Sequence, residues 1–456
     1  MDDERQDMTT VSGERQAESS LQSTEEFWDS ARRHLIRYGP AGFIPSIIER
    51  ADGCFLYDEN GRAILDFTSG QMSSLLGHSY PAVVETVSRS IATLDHLFSG
   101  MLSRPLVDLA EALSRTLPEA LSKAMILSTG GESNEAAIKM AKLYTQKHEI
   151  VSFDQSYHGS THAAGAATYS LSRAGYGPLA PGNLIIPTPN PYRSVFRDEE
   201  GAHDWQAELD FGFAMVDRQS VGSLAAFIAE PILGTGGLIA PPDGYFAALR
   251  KKCDERGMLL IIDEAQTGLC RTGDWYAFQH QGIVPDILTL SKTLGAGLPV
   301  SAVVTTEEIE ATCSDRRFMF TTTHVSDPLA AAVGLTVVQT LEEGKFDATA
   351  RRLGERLRQG LLDLQNRHER IGDVRGRGLF QGIELVMDRE TKEPADSYGT
   401  AVTAACFELG LHLNIAQMPG VNSILRIAPP LTIPEAALDS GLAILDEALT
   451  IARKRG

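Results

Sequence analysis

Four segments carry side chains whose types and spacing could act together. The apolar run Leu259–Ile262 is followed by Asp263-Glu-Ala-Gln266-Thr-Gly268, and Ile287–Leu290 by Ser291-Lys292-Thr-Leu-Gly-Ala-Gly297. A lysine just after a buried strand is expensive to keep as an ammonium, and either pKa depression or Schiff-base formation relieves that cost. Read singly, Asp263 serves equally as a helix cap or a metal ligand, and Lys292 as a surface lysine with a snorkelling stem. The run Ala124–Leu127 leads into Ser128-Thr-Gly130-Gly131-Glu-Ser-Asn134 and then an amphipathic stretch. Small residues at the mouth of a helix expose backbone N–H groups, for which phosphate is the natural guest. Ile150–Phe153 leads to Tyr157-His158-Gly159, an aromatic that either stacks on a flat ligand or packs in the core. A phosphate cradle, an aromatic, an acid and an amine at four strand ends form the set that holds pyridoxal phosphate. Lys292 would bond its aldehyde and Asp263 would keep its ring nitrogen protonated, making the ring an electron sink for a carbanion at the substrate α-carbon.

Those side chains must be positioned by one sheet. The four runs above, with Leu184–Ile186 and Leu224–Ala229, are four to six residues long or slightly shorter, and apolar without strict alternation. That texture suits strands buried on both faces of a mainly parallel sheet covered by helices, an open α/β layer whose ligand crevice lies beyond the carboxyl ends of the strands. Gly53–Phe67 reads as two short strands around an Asp58-Glu-Asn-Gly61 turn. After Pro328 long helical stretches alternate with a Gly-broken strand at Val374–Val386, a helix near Ala401–Leu409, a strand at Ile424–Ala428 and a final helix from Pro434, a smaller α+β domain. The expected organisation is a disordered acidic tail over 1–24, with structure beginning near Phe27. An N-terminal segment over 25–80 joins the small domain, a large domain spans 81–327, and the rest of the small domain spans 328–456.

Composition narrows the function classes. The 456 residues give ample volume for a packed core, and a net charge of −19 repels nucleic-acid backbones and anionic lipid. No apolar run is long enough for a spanning helix, and the first twenty residues lack the basic and apolar regions of a secretory signal. Five scattered cysteines without a C-x-x-C pair fit reduced thiols. Neither a nucleic-acid nor a membrane partner is expected, and the expected compartment is the cytoplasm.

The stretches ILDFTSGQMS, STGGESNEAAIKMAKL, MLLIIDEAQTG, PDILTLSKTLGAGLP, THVSDPLAAAVGL and LRIAPPLT carry a resemblance that runs from about Phe27 to the last helix. The chain resembles the class III, fold-type-I pyridoxal phosphate aminotransferases, and among them the 2,2-dialkylglycine decarboxylases. The resemblance implies an α/β fold: a large domain with a mainly parallel seven-stranded sheet between helices, and a smaller α+β domain. It implies a decarboxylating transamination in which an α,α-disubstituted amino acid leaves as CO₂ and a ketone, and pyruvate or a similar 2-oxo acid takes the amino group. The alternative is a class III aminotransferase without decarboxylation, acting on an ω-amine or a biosynthetic ketone. In the implied site Lys292 is the Schiff-base lysine and proton shuttle, Asp263 pairs with the pyridinium and Tyr157 stacks on the ring. Gln266 bonds the ring hydroxyl, and Gly130 and Gly131 bind phosphate together with Thr322 of a second subunit. Arg426 grips the substrate carboxylate that stays, and Gln71 bonds the one that leaves. An alkali-metal ion, potassium or sodium, is implied at Leu97, Ser99, Thr323, Val325 and Asp327, and a homodimer or a dimer of dimers follows from the shared Thr322.

Departures cluster in the substrate pocket. Tyr157 stands where the decarboxylases have tryptophan, Ser160 replaces a methionine, Thr235 a serine and Thr321 a tyrosine. Thr235 keeps a hydroxyl. The loss of bulk at 160 and 321 implies a pocket of different shape and a substrate other than the simplest dialkylglycine.

Overall fold

A computed structural model describes residues 23–39, 42–171, 173–415 and 423–455. Two compact units are present, Met1–Pro45 and Ser46–Gly456. In the first, a helix spans Thr24–His34. Its start is set by a capping box: Ser23 Oγ accepts from Glu26 N–H and Glu26 accepts from Ser23 N–H. The helix thus begins three residues before the expected Phe27. All of the expected tail except Ser23 and Thr24 lies outside the described residues.

Among the described residues the second unit contains three sheets. The first is built from β1 (Ile48–Asp52), β2 (Phe55–Asp58) and β3 (Ala63–Asp66), antiparallel neighbours in that order. The β2–β3 turn falls where the Asp-Glu-Asn-Gly signal puts it, because Asp58 Oδ1 accepts from the backbone N–H groups of Asn60 and Arg62. The large sheet holds seven strands: β4 (Lys123–Leu127), β5 (Glu149–Phe153), β6 (Asn183–Ile186), β7 (Leu224–Ala229), β8 (Leu259–Asp263), β9 (Ile287–Leu290) and β10 (Ser301–Thr305). Their spatial order is β4-β10-β9-β8-β7-β5-β6. Only β10 runs antiparallel to its neighbours, β4 and β9. Every residue of β7 and β8 is buried, as layers of helix on both faces require.

The third sheet holds β11 (Ile371–Arg377) and β12 (Phe380–Leu385). The Gly-broken strand expected at Val374–Val386 is therefore a hairpin: Gly378, at φ +57°, turns the chain so closely against Thr272 that a Cβ would lie 2.5 Å from its carbonyl carbon. The chain then forms β13 (Leu411–His412), parallel to β3 in the first sheet, followed by β14 (Asn414–Ile415) and β15 (Ile424–Ile427), which complete the third. Among the described residues no helix is long and apolar enough to cross a membrane, and all five cysteines are buried and free.

Candidate active site

A cavity of about 600 Å³ opens at the carboxyl ends of β4, β5, β7, β8 and β9. It collects the residues that follow those strands: Gly130 and Gly131 after β4, Tyr157 and Ser160 after β5, Glu230 after β7, Asp263 and Gln266 from β8, and Lys292 after β9. Seven of the expected site residues are thus brought together by topology alone.

The phosphate end is built by close approach. Thr129 caps the helix Gly130–Thr145 in a capping box with Glu132, whose carboxylate accepts from the N–H groups of Ser128 and Thr129. The first N–H groups of a helix have no intrahelical partner and favour an anion. A Cβ on Gly130 would lie 2.7 Å from Ser291 Oγ, and one on Gly159 would lie 3.0 Å from Gly131 Cα. Glycine is needed here because three strand ends converge.

Asp263 is buried, and its Oδ2 accepts from Asn134 Nδ2 at 2.8 Å and pairs with His158 Nδ1 at 2.9 Å. Burial alone would raise its pKa; the bonds from His158 and Asn134 and from Ala265 N–H overcome that and hold the carboxyl below its usual range. Asp263 is therefore a buried, ionised acceptor. Lys292 is driven the other way. Burial pushes its amine down, Asp263 and Glu230 partly oppose this, and Arg426 adds to it. A lysine with a depressed pKa has more of the neutral amine that attacks a carbonyl. Its backbone sits at φ +29°, rare for a residue with a side chain. Burial lowers Arg426 to about 10 against the pull of Glu230, and its guanidinium approaches Thr235 Oγ1 at 3.5 Å.

Gln71 and Ser73 belong to a turn that the sequence does not announce. Ser69, Gly70, Gln71 and Met72 all have φ between +46° and +69°, a single left-handed helical turn closed by Met72 N–H to Thr68 O and Ser73 N–H to Ser69 O. Such a turn costs roughly 1–2 kcal/mol for each residue carrying a Cβ. Asp66 offsets this: its carboxylate accepts from Thr68 N–H (2.8 Å), Thr68 Oγ1 (2.6 Å) and Gly70 N–H (2.9 Å), bonds to a charge being worth roughly 1.5–3 kcal/mol each. Ser73 lines the cavity and its hydroxyl donates to the carbonyl of Lys292 at 3.1 Å. Gln71 is exposed and is not among the residues lining the cavity.

Three other expected residues also lie outside the cavity lining: Arg426 and Thr235, paired with each other, and Thr322, whose Oγ1 is buried without a hydrogen-bond partner among the described residues. Of the expected metal ligands, Asp327 is buried. Its carboxylate pairs with His96 Nδ1 at 2.5 Å and with His324 Nδ1. These pairings draw together the segments that carry Leu97 and Ser99 on one side and Thr323 and Val325 on the other. Both histidines escaped the sequence reading, although each is adjacent in sequence to an expected ligand. Asn134, His158 and Glu230 also went unassigned. Asn134 lies one helical turn after Gly130, which was the available signal, His158 directly follows Tyr157, and Glu230 directly follows the apolar run Leu224–Ala229.

The residues present fit pyridoxal phosphate on observations independent of any relative. The glycine cradle leaves a space that side chains would fill. Gln266 Oε1 is buried without a partner among the described residues. An ionised acid and a depressed amine share one cavity with an aromatic side chain, Tyr157.

Known proteins agree. Residues 39–449 match the family model for Aminotransferase class-III. The chain is 52% identical to an uncharacterized aminotransferase of Schizosaccharomyces pombe, covering 96% of this chain and 97% of that one. It is 35% identical to a leucine/methionine racemase of Thermococcus litoralis (93% and 95% covered) and 35% identical to a taurine–pyruvate aminotransferase of Rhodobacter capsulatus (89% and 91% covered). Among solved structures it is similar to a Bacillus anthracis aminotransferase, with a TM-score of 0.88 at 30% identity over 94% of this chain and 98% of that one. The seven-stranded sheet, the cavity at its strand ends and these likenesses place the chain in the class-III aminotransferases, fold-type-I pyridoxal phosphate enzymes that exchange an amino group between amino and 2-oxo acids.

Proposed function

We propose that this aminotransferase removes CO₂ from an α,α-disubstituted amino acid, releases a ketone and passes the amino group to pyruvate or a similar 2-oxo acid. Pyridoxal phosphate, when bound, supplies the electron sink for the substrate α-carbon. The chain's own residues would decide which substituent of that carbon is lost, by the orientation in which they hold the substrate. Arg426 would grip the carboxylate that stays, that of the 2-oxo acid, by a bidentate pair beside Thr235 and Ser160, and in the other half-reaction Gln71 would donate to the carboxylate of the quaternary amino acid, the one that leaves. Lys292 moves the proton, Asp263 holds the ring nitrogen protonated and Gln266 bonds the ring hydroxyl. The supporting observation is the left-handed turn at Ser69–Met72: it carries Gln71 two residues from Ser73, which bonds the Lys292 carbonyl.

In the test, Gln71→Ala is assayed in two half-reactions. CO₂ loss from 2-aminoisobutyrate is expected to fall at least about tenfold more than amine transfer from alanine, the share of one hydrogen bond to a charge. Equal losses would overturn the assignment of Gln71.

A second reading, transamination of an ω-amine or a biosynthetic ketone without CO₂ loss, is favoured by the exposed position of Gln71 outside the cavity lining. The relatives' names, taurine–pyruvate aminotransferase among them, also favour it. We further propose a homodimer or dimer of dimers in which Thr322 reaches the phosphate of a second subunit. Phe98 and Leu102, 73% and 76% exposed in the isolated chain, support it, as does the unpartnered Thr322 hydroxyl. An alkali-metal ion at Leu97, Ser99, Thr323, Val325 and Asp327 would use the oxygen ligands that hard ions prefer. Five buried free thiols suit a cytoplasmic setting.

A further inference from the structure

Asp66 ends β3 and lies outside the cavity lining, yet its side chain, 1% exposed, carries an unusual load. Besides the three donors in the left-handed turn, it pairs with His78 Nε2 at 2.9 Å and His412 Nδ1 at 3.3 Å. The imidazoles come from both sides: His412 lies opposite Asp66 on β13, and His78 follows the turn. A Cβ on Gly70 would meet His78 Cε1 at 3.2 Å, so the ring also walls the turn.

What the turn holds is the site. Ser73 Oγ donates to the carbonyl of Lys292. Ser69 Oγ donates to the carbonyl of Ala428 at 2.6 Å, and Ala428 N–H donates to Phe67 O at 2.7 Å, just beyond the strand bearing Arg426. Met72 packs in one apolar cluster with Ile232, a cavity-lining residue, and Ala428. One strained turn thus touches the backbone of the amine on one side and the strand of the carboxylate-binding cation on the other.

We propose that Asp66, buttressed by His78 and His412, is a positioning residue for amine transfer: it locks the left-handed turn and thereby fixes Lys292 relative to Arg426. The proposal rests on those two residues acting as described above, but only on amine transfer. A wild-type enzyme that releases no CO₂ would remove the decarboxylation reading and leave this one standing.

The test uses Asp66→Asn, which keeps the shape but turns an amide donor toward the N–H of Gly70 or the imidazole of His78. Three readouts are taken: hydrogen exchange of the peptide over residues 66–76 without cofactor, thermal unfolding, and single-turnover amine transfer from L-alanine. Expected are faster exchange confined to that peptide, a cooperative thermal transition, and a maximal rate lower by about 10–100-fold at a half-saturating alanine concentration changed less than about threefold, as a small misplacement of reacting groups produces. Unchanged exchange, or faster exchange with an unchanged maximal rate, would overturn the proposal. Should Asp66→Asn fail to fold, His78→Gln, which keeps a donor, must retain the rate that His78→Phe loses. Equal rates in those two variants would also overturn it.

Discussion

At the scale of single residues, the site works by setting neighbouring titratable groups apart. Asp263 is held ionised by His158 and Asn134, while burial depresses Lys292 a short distance away. Replacing Lys292 with Ala should slow amine transfer from alanine by about 10²–10⁴, the usual share of a positioned acid–base group, as single-turnover absorbance would measure. Two neighbouring glutamates, Glu230 and Glu264, are pushed by burial up to about 7. A carboxyl whose pKa is higher folded than unfolded stabilises the fold at low pH and loses that stabilisation as pH rises through the folded value. Between pH 5 and 8 the depressed aspartates are ionised in both states, the two glutamates lower stability as pH rises, and His280, whose pKa burial depresses, opposes them. Urea unfolding should show wild type weaker at pH 8 than at pH 5 and Glu264→Gln with a smaller difference; an unchanged difference would count against this. The Asp263–Lys292 pair was legible in sequence because Asp263 directly follows one apolar run and Lys292 stands two residues past the end of another. The groups tuning it were not, since Asn134 meets Asp263 only across 129 positions.

At the scale of elements, strand ends and helix mouths carry the chemistry, and local signals find most of them. Short, mainly apolar runs marked six of the seven strands. The seventh, β10, offers only the short run Ala302–Val304 closed off by Ser301 and Thr305, and its place between β4 and β9 depends on tertiary contact. The left-handed turn left no local trace either, because Ser, Gln and Met all prefer right-handed backbone. It is Asp66, fixed by partners as distant as His412, that selects it. The capping box ahead of Gly130 is local and testable. Thr129→Ala should cost about 1 kcal/mol of stability by denaturant titration, and should weaken cofactor binding because the helix mouth frays. Stability equal to wild type would show that tertiary packing alone sets this helix start.

At the scale of the whole molecule, a single chain holds the cavity but leaves Thr322 outside it. Sedimentation equilibrium should find a dimer or tetramer. Thr322→Ala should weaken cofactor binding by about tenfold or more, one hydrogen bond to a phosphate, without dissociating the assembly. An active monomer would contradict this. Fold class was readable in the sequence because burial on both faces imposes an apolar texture on the strands. The reaction's outcome was not, because it depends on which substituent of the α-carbon a few side chains hold upright. The most direct measurement of that outcome is to supply 2-aminoisobutyrate labelled at its carboxyl carbon together with pyruvate, then trap the gas. Labelled CO₂, a ketone and alanine should appear in equal amounts from this substrate or, where the altered pocket disfavours it, from a larger quaternary amino acid labelled in the same way. Alanine formed from other amino donors, with no labelled gas from this substrate or any other quaternary amino acid, would contradict the decarboxylating function.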